Sequence, residues 1–176
     1  MKIIAVSAVT GGGKTTVVNA MKERLPNSTS LHFDDYTFEG EVEDFAAWNA
    51  SGADVHVWDL SPLRADIERI IRSGAYDFLL LDYPFAYQHR MIKDYLDCCI
   101  FIDTPLDIAM ARRILRDMQT ASADEICNET DAYLKYARAV YVQMQTEHRS
   151  AADHVIDGAK PLAEIVHEAA EIALSC

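Results

Sequence analysis

The stretch from Lys2 to Leu25 constrains this chain more than any other part of its sequence. A continuous apolar run, Lys2-Ile3-Ile4-Ala5-Val6, leads into Ser7-Ala8-Val9-Thr10-Gly11-Gly12-Gly13-Lys14-Thr15. An unbroken apolar strand that stops at glycines suits the centre of a parallel sheet, buried on both faces. Beyond the glycines, Val17, Val18, Met21 and Leu25 recur at helical spacing until Pro26-Asn27, so residues 14 to 25 read as a helix. Consecutive glycines let the backbone wrap an anion with several N–H groups at once, where side chains would obstruct it. The helix behind them leaves its first amides unpaired at the positive end of its dipole.

This is the chemistry of a phosphate-binding P-loop, whose pattern G-x-x-x-x-G-K-[ST] is met here except that Ala8 stands at the first glycine. Lys14 can reach the β- and γ-phosphates of a nucleotide, and the Thr15 hydroxyl can ligate Mg²⁺. The expected nucleotide-binding set is Thr10, Gly11, Gly12, Gly13, Lys14, Thr15 and Thr16, with ATP and Mg²⁺ as the bound species. The competing reading is a glycine turn with an incidental lysine. Asp82 ends a second apolar run, Phe78 to Leu81, where a carboxylate can hold Mg²⁺ through water; alternatively it is an ordinary strand-terminal acid.

The remaining pattern alternates strand and helix. Ser30 to Phe33 reads as a strand running into Asp34-Asp35, Asp44 to Ala50 as one or two helical turns, and Val55 to Trp58 as a strand or extended loop. Ser61 as N-cap with Pro62 behind it opens a helix ending at Gly74. Strands follow at residues 77–82, 98–103 and 154–157, with helices from Pro105 to about Met118, over 124–148 and from Pro161 to Leu174. The pattern predicts an α/β fold: a P-loop NTPase three-layer sandwich, a parallel five-stranded sheet with helices on both faces. One domain spans residues 1–176, with a lid at approximately 112–125.

A formal net charge of −12 argues against nucleic acid or an anionic membrane as partner, because both would repel such a surface. No run of 18 apolar residues is present and the first residues do not read as a signal peptide, so the expected location is cytoplasmic. Cys98 and Cys99 would point to opposite faces of one strand, Cys127 and Cys176 stand alone, and no CxxC pair suggests zinc. Buried reduced thiols are the expected state.

Three further groups bear on chemistry. Asp34-Asp35 falls at the sheet edge that carries the phosphate loop, where a carboxylate could take a proton from an attacking hydroxyl. The alternative is a pair of solvated loop acids. Arg112, Arg113 and Arg116 share neighbouring faces of one helix and could close over a triphosphate, or could pair with Asp117 and Asp107 on the surface. Trp58-Asp59 could stack a heteroaromatic base and accept from vicinal hydroxyls; equally, Trp58 could be core and Asp59 a helix cap. Trp48, Phe85, Tyr87, His56 and His89 are secondary pocket candidates.

In their order, these segments resemble the uridine kinase-like P-loop kinases, which include uridine-cytidine and nicotinamide riboside kinases. Ser7 to Thr16 and Leu25-Pro26-Asn27 through Phe33-Asp34-Asp35-Tyr36 are similar to the riboside kinases, as is Tyr133-Leu134-Lys135-Tyr136. Ile102-Asp103-Thr104-Pro105 with Arg112-Arg113-Ile114-Leu115-Arg116-Asp117 is closer to uridine kinases. The resemblance implies Asp34 as catalytic base, Asp82 near Mg²⁺, Trp58 and Asp59 at the acceptor, Arg113 reaching substrate and phosphates, and residues 158–161 near adenine with Arg116. Departures cluster at the acceptor side: residues 36–60 match poorly, and Tyr83-Pro84-Phe85 replaces the relatives' glycine after Asp82.

The expected activity is therefore ATP-dependent phosphoryl transfer to a hydroxyl of a nucleoside-like small molecule, uridine/cytidine or nicotinamide riboside in type. Lys14, Asp34 and Arg113 form the catalytic set, Asp34, Trp58, Asp59 and Arg113 bind acceptor, Arg112 and Arg116 bind nucleotide, and Thr15 and Asp82 hold metal. The alternatives are a P-loop kinase for pantothenate, a sugar acid or a sugar phosphate, and a non-catalytic ATP-binding regulatory module.

Overall fold

A computed structural model describes residues 1–40, 42 and 44–176. Among them, five strands form one sheet: β1 (Lys2–Ser7), β2 (Ser28–His32), β3 (Phe78–Asp82), β4 (Cys98–Asp103) and β5 (His154–Asp157). Their order is β2-β3-β1-β4-β5, and every pairing is parallel. The expected α/β class and the parallel five-stranded sheet are both observed. β1 sits centrally because its residues are apolar on both faces, which only an inner strand can satisfy.

Period-two alternation then divides the core in two. Ile4 and Val6 join Leu80, Cys98 and Ile100 on one face; Ile3 and Ala5 join Leu79, Leu81 and Cys99 on the other. The adjacent cysteines do point to opposite faces. The first face is covered by α1 (Lys14–Arg24) and α7 (Leu162–Ser175), through Val17, Val18 and Met21 and through Ile165, Val166 and Ala169. The second is covered by α3 (Ser61–Ser73), through Leu63, Ile67 and Ile70, with the segment carrying Tyr83, Phe85 and Ile92.

Between β2 and α3 lie α2 (Phe45–Ala50) and a 3₁₀ turn at Val55–Val57. That turn replaces the expected strand or extended loop: the Asp54 carboxylate accepts from the His56 amide at 2.9 Å and offers the backbone a local partner. The start of α3 is also shifted by a residue. Leu60 is the N-cap, Ser61 is already helical, and the Asp59 carboxylate accepts from the Ser61 amide at 3.0 Å and from its hydroxyl at 2.5 Å.

After β4 come α4 (Leu106–Asp117), α5 (Ala123–Ala132) and α6 (Arg138–Ala151). The sequence reads a single helix over 124–148; the chain instead passes through a π-helical turn at Tyr133–Ala137. An inserted residue of this kind re-aims the helix face. It buries Tyr133 against Tyr141, with ring centroids 5.9 Å apart. Ser122 and Glu125 form a reciprocal capping box at the start of α5.

Candidate active site

The loop between β1 and α1 is shaped by two glycines with positive φ, Gly11 at 78° and Gly13 at 99°. A Cβ on Gly11 would stand 2.2 Å from the carbonyl oxygen of Ala109 on α4, so the loop and that helix touch backbone to backbone. A Cβ on Gly12 would lie 2.7 Å from that of Ala8. Ala8 is fully buried beneath the loop, and Gly12 supplies the space that Ala8 takes. Gly13 caps α1 without a side-chain bond, which leaves the first-turn amides to a ligand. From below, the buried Thr104 hydroxyl donates to the Gly12 carbonyl at 2.9 Å. A Cβ on Gly158 would strike that hydroxyl at 1.9 Å.

A cavity of about 530 Å³ opens above this loop, within the usual range for a small-molecule site. Thr10, Gly11, Gly13, Lys14, Thr15 and Thr16 line one end. Asp34, Arg112 and Arg116 flank it, and Phe33, Trp48, Trp58 and Phe85 form an aromatic wall. Trp58 packs 5.3 Å from both Trp48 and Phe85, and Phe33 meets Phe85 edge-on at 5.3 Å.

Burial lowers the pKa of the Lys14 ammonium; the Asp82 and Asp34 carboxylates oppose that shift, and the Arg116 charge adds to it. Asp82 is buried at the end of β3, where it accepts from the Thr15 hydroxyl at 2.5 Å. The parallel register sets His32 opposite Asp82, and the His32 Nδ1 lies 3.2 Å from the same carboxylate oxygen. A hydroxyl and a carboxylate side by side are hard oxygen donors of the kind Mg²⁺ takes, so this pair fits the ion.

The strand β2 ends at His32, one residue before the expected end at Phe33, and Asp34 and Asp35 lie in a 3₁₀ turn, Phe33–Asp35. The turn separates the two acids: Asp34 lines the cavity and Asp35 does not. The lid arginines separate as well. Arg112 and Arg116 line the cavity, with Arg112 directed at the Gly158 carbonyl at 3.5 Å and Arg116 paired to Asp117 at 2.6 Å. Arg113, expected at substrate and phosphates, lies outside this lining: its guanidinium meets Glu129 at 2.5 Å.

Trp58 is both core and cavity wall, while Asp59 is exposed and turned toward Ser61. Asp59 accepts from the first helical amide, one residue before the N-cap Leu60, and does not line this cavity. Lys160 pairs with Glu168 at 2.9 Å. His89 and His56 lie behind Trp58: His89 Nε2 is 3.1 Å from the Trp58 carbonyl, and the rings are 5.1 Å apart. Tyr87 donates to Asp153 at 2.6 Å.

Sequence reasoning did not single out His32, Phe33, Thr104, Val140, Tyr141 or Met144. Val140, Tyr141 and Met144 close the cavity from α6. Phe33 adjoins Asp34 and could have been found there; the α6 residues depend on the π turn, which leaves no pattern in the sequence.

A parallel sheet whose central strand runs through a glycine cradle into a helix, with lysine, threonine and a buried carboxylate converging there, is the arrangement of a P-loop nucleotide-binding fold. The Phosphoribulokinase / Uridine kinase family model matches residues 75–160. A uridine kinase of Staphylococcus aureus is 27% identical over 183 residues, covering 88% of this chain and 86% of that protein. One from Borrelia turicatae is 25% identical over 178 residues, covering 89% and 86%. Among solved structures, a gluconokinase from Sinorhizobium meliloti superposes with a TM-score of 0.58 at 18% identity, covering 99% of this chain and 92% of that one. A deoxyadenosine kinase from M. mycoides gives 0.55 at 12% identity, covering 99% and 100%. The chain is similar to uridine kinases over most of its length, and its fold is that of the P-loop kinases. No helix among the described residues is long and apolar enough to cross a membrane.

Proposed function

We propose that the protein transfers the γ-phosphoryl of ATP to a hydroxyl of a nucleoside-like acceptor. One observation carries this reading: Asp34, Lys14 and an aromatic wall line the same cavity as the phosphate loop. Curated relatives named uridine kinase, similar over most of this chain, support it.

In the proposed mechanism the loop amides and Lys14 hold the phosphates, and the half-buried lysine places its charge where the transferred group develops negative charge. Thr15 and Asp82 hold Mg²⁺, which when bound neutralises phosphate charge. His32 fixes the Asp82 carboxylate from the neighbouring strand. Asp34, at the cavity edge, accepts the proton of the attacking hydroxyl. Arg112 and Arg116 cover the phosphates, and α4 with the turn before α5 acts as the lid. Phe33, Trp58 and Phe85, packed on one another, offer one apolar wall to a flat heteroaromatic group and exclude water from the reacting oxygens.

The test is ADP release measured with a panel of uridine, cytidine, nicotinamide riboside, pantothenate, gluconate and ribulose 5-phosphate, the products being weighed by mass spectrometry. A nucleoside monophosphate as the best product is the expected outcome. A better rate with a non-aromatic alcohol would replace the acceptor assignment. ATP binding without acceptor-dependent ADP release would leave a regulatory module.

A further inference from the structure

At the opposite edge of the sheet lies a second group of chemistry-bearing side chains. Cys98 opens β4, His154 opens β5, and Cys176 follows the last turn of α7. In the parallel register Ile100 stands opposite His154, and Cys98, two residues before Ile100, shares that face. It is the face that α7 covers, where Cys176 packs against the core that includes Cys98. The fold thus gathers three residues far apart in sequence. Their ligand atoms, two thiol sulfurs and one imidazole nitrogen, all lie within 4.8 Å of one another. Cys98 is buried, Cys176 half-buried and His154 exposed, so the group has a closed floor and an open mouth.

Two sulfurs and an imidazole nitrogen are soft-to-borderline donors, a set that selects zinc-like ions over Mg²⁺ or Ca²⁺. A tetrahedral ion with Zn–S of about 2.3 Å and Zn–N of about 2.0–2.1 Å brings such ligand atoms within roughly 4 Å of each other. The group, with its ligand atoms within 4.8 Å of one another, is already close to that size. Charges nearby are mixed. Lys2 Nζ donates to the Cys176 carbonyl oxygen at 2.7 Å. The Asp153 carboxylate, next to His154, accepts from the Cys99 amide at 2.8 Å and from the Tyr87 hydroxyl. The P-loop lies past the other end of the strands. β4 has six residues at about 3.3 Å each, which separates the two sites by roughly 20 Å.

We infer that Cys98, His154 and Cys176 form a Cys₂His site for a zinc-like divalent cation, with a solvent ligand in the fourth position. Uptake breaks two S–H bonds, forms two metal–sulfur bonds and releases both protons to water; the neutral imidazole gives a lone pair, and nothing is oxidised. A bound ion ties the end of α7 to β4 and β5, and so stabilises the folded chain without touching the kinase site.

The test uses the reduced, tag-free full chain, titrated with Zn²⁺ against a chromophoric chelator and separately with Co²⁺. One equivalent should bind, with thiolate-to-cobalt charge-transfer bands and a rise in Tm on Zn²⁺ addition. C176S and H154Q should each weaken binding about tenfold or more, while C127S, at an exposed cysteine elsewhere, should bind as the parent does. Circular dichroism of C176S and H154Q checks that both fold, and neither removes the buried thiol. Unchanged affinity in both variants, dependence on Cys127, or no charge-transfer band would overturn the site. So would a Cys98–Cys176 disulfide that forms in the reduced protein's place on exposure to Zn²⁺ and air, with no metal retained.

Discussion

The two ends of the candidate active-site cavity are built in different ways. The phosphate end is local: residues 8 to 16 form one strand-loop-helix unit, and its fixed conformations come from Gly11 and Gly13. The acceptor end is assembled from the 3₁₀ turn after β2, α2, the segment before α3, the turn after β3, and α6, which meet only in the folded chain. A substitution at the first end removes chemistry. One in the aromatic wall of the second should shift the affinity for acceptor more than the rate of transfer, because such a wall binds ground and transition states alike.

The largest effect is expected at Lys14. Lys14→Ala should lower kcat about 10²–10³-fold or more with an unchanged circular dichroism spectrum, since a charge aimed at the developing phosphoryl is lost. Asp34→Asn should lower kcat about 10²–10⁴-fold while ATP affinity, read by calorimetry, holds. Asp35→Asn should leave kcat near that of the parent, because Asp35 does not line the cavity. Equal losses in the two variants would blur the distinction that the 3₁₀ turn makes between neighbouring acids.

A smaller effect is expected at the acceptor wall. Trp58→Phe keeps an aromatic ring and should raise the acceptor KM up to about tenfold, with kcat changed less. A fall in kcat with KM unmoved would break the division between the two ends. The smallest effect belongs to Asp59. The Ser61 hydroxyl and amide lower its pKa, so its contribution to stability is present above the unfolded carboxylate's pKa and is lost as pH falls through the folded value. Asp59→Asn should slightly lower Tm at neutral pH, leave the acceptor KM alone, and flatten the acid side of the stability profile. A raised KM would instead return Asp59 to the acceptor.

The same division explains what could be read from the sequence. Strand β1, the cradle and α1 follow from contiguous residues, whose apolar spacing and glycines act within one short stretch of chain. Asp82 could be found because it ends an apolar strand. The separation of Asp34 from Asp35, and of Arg112 and Arg116 from Arg113, depends on a 3₁₀ turn and on Glu129 arriving from α5. His32 reaches Asp82 only through the β2–β3 register. Asp59 had two chemically sound readings, a ribose contact or a helix cap, and residue type alone could not choose between them.

The most direct measurement of the central claim is transfer of the labelled γ-phosphoryl of ATP to uridine, with the parent protein and Asp34→Asn side by side. Labelled uridine monophosphate from the parent, and about 10²-fold less or lower from the variant at equal ATP occupancy, is the expected result. Equal transfer by both would contradict Asp34 as the base, and label that appears only as inorganic phosphate would contradict the assignment of a nucleoside acceptor.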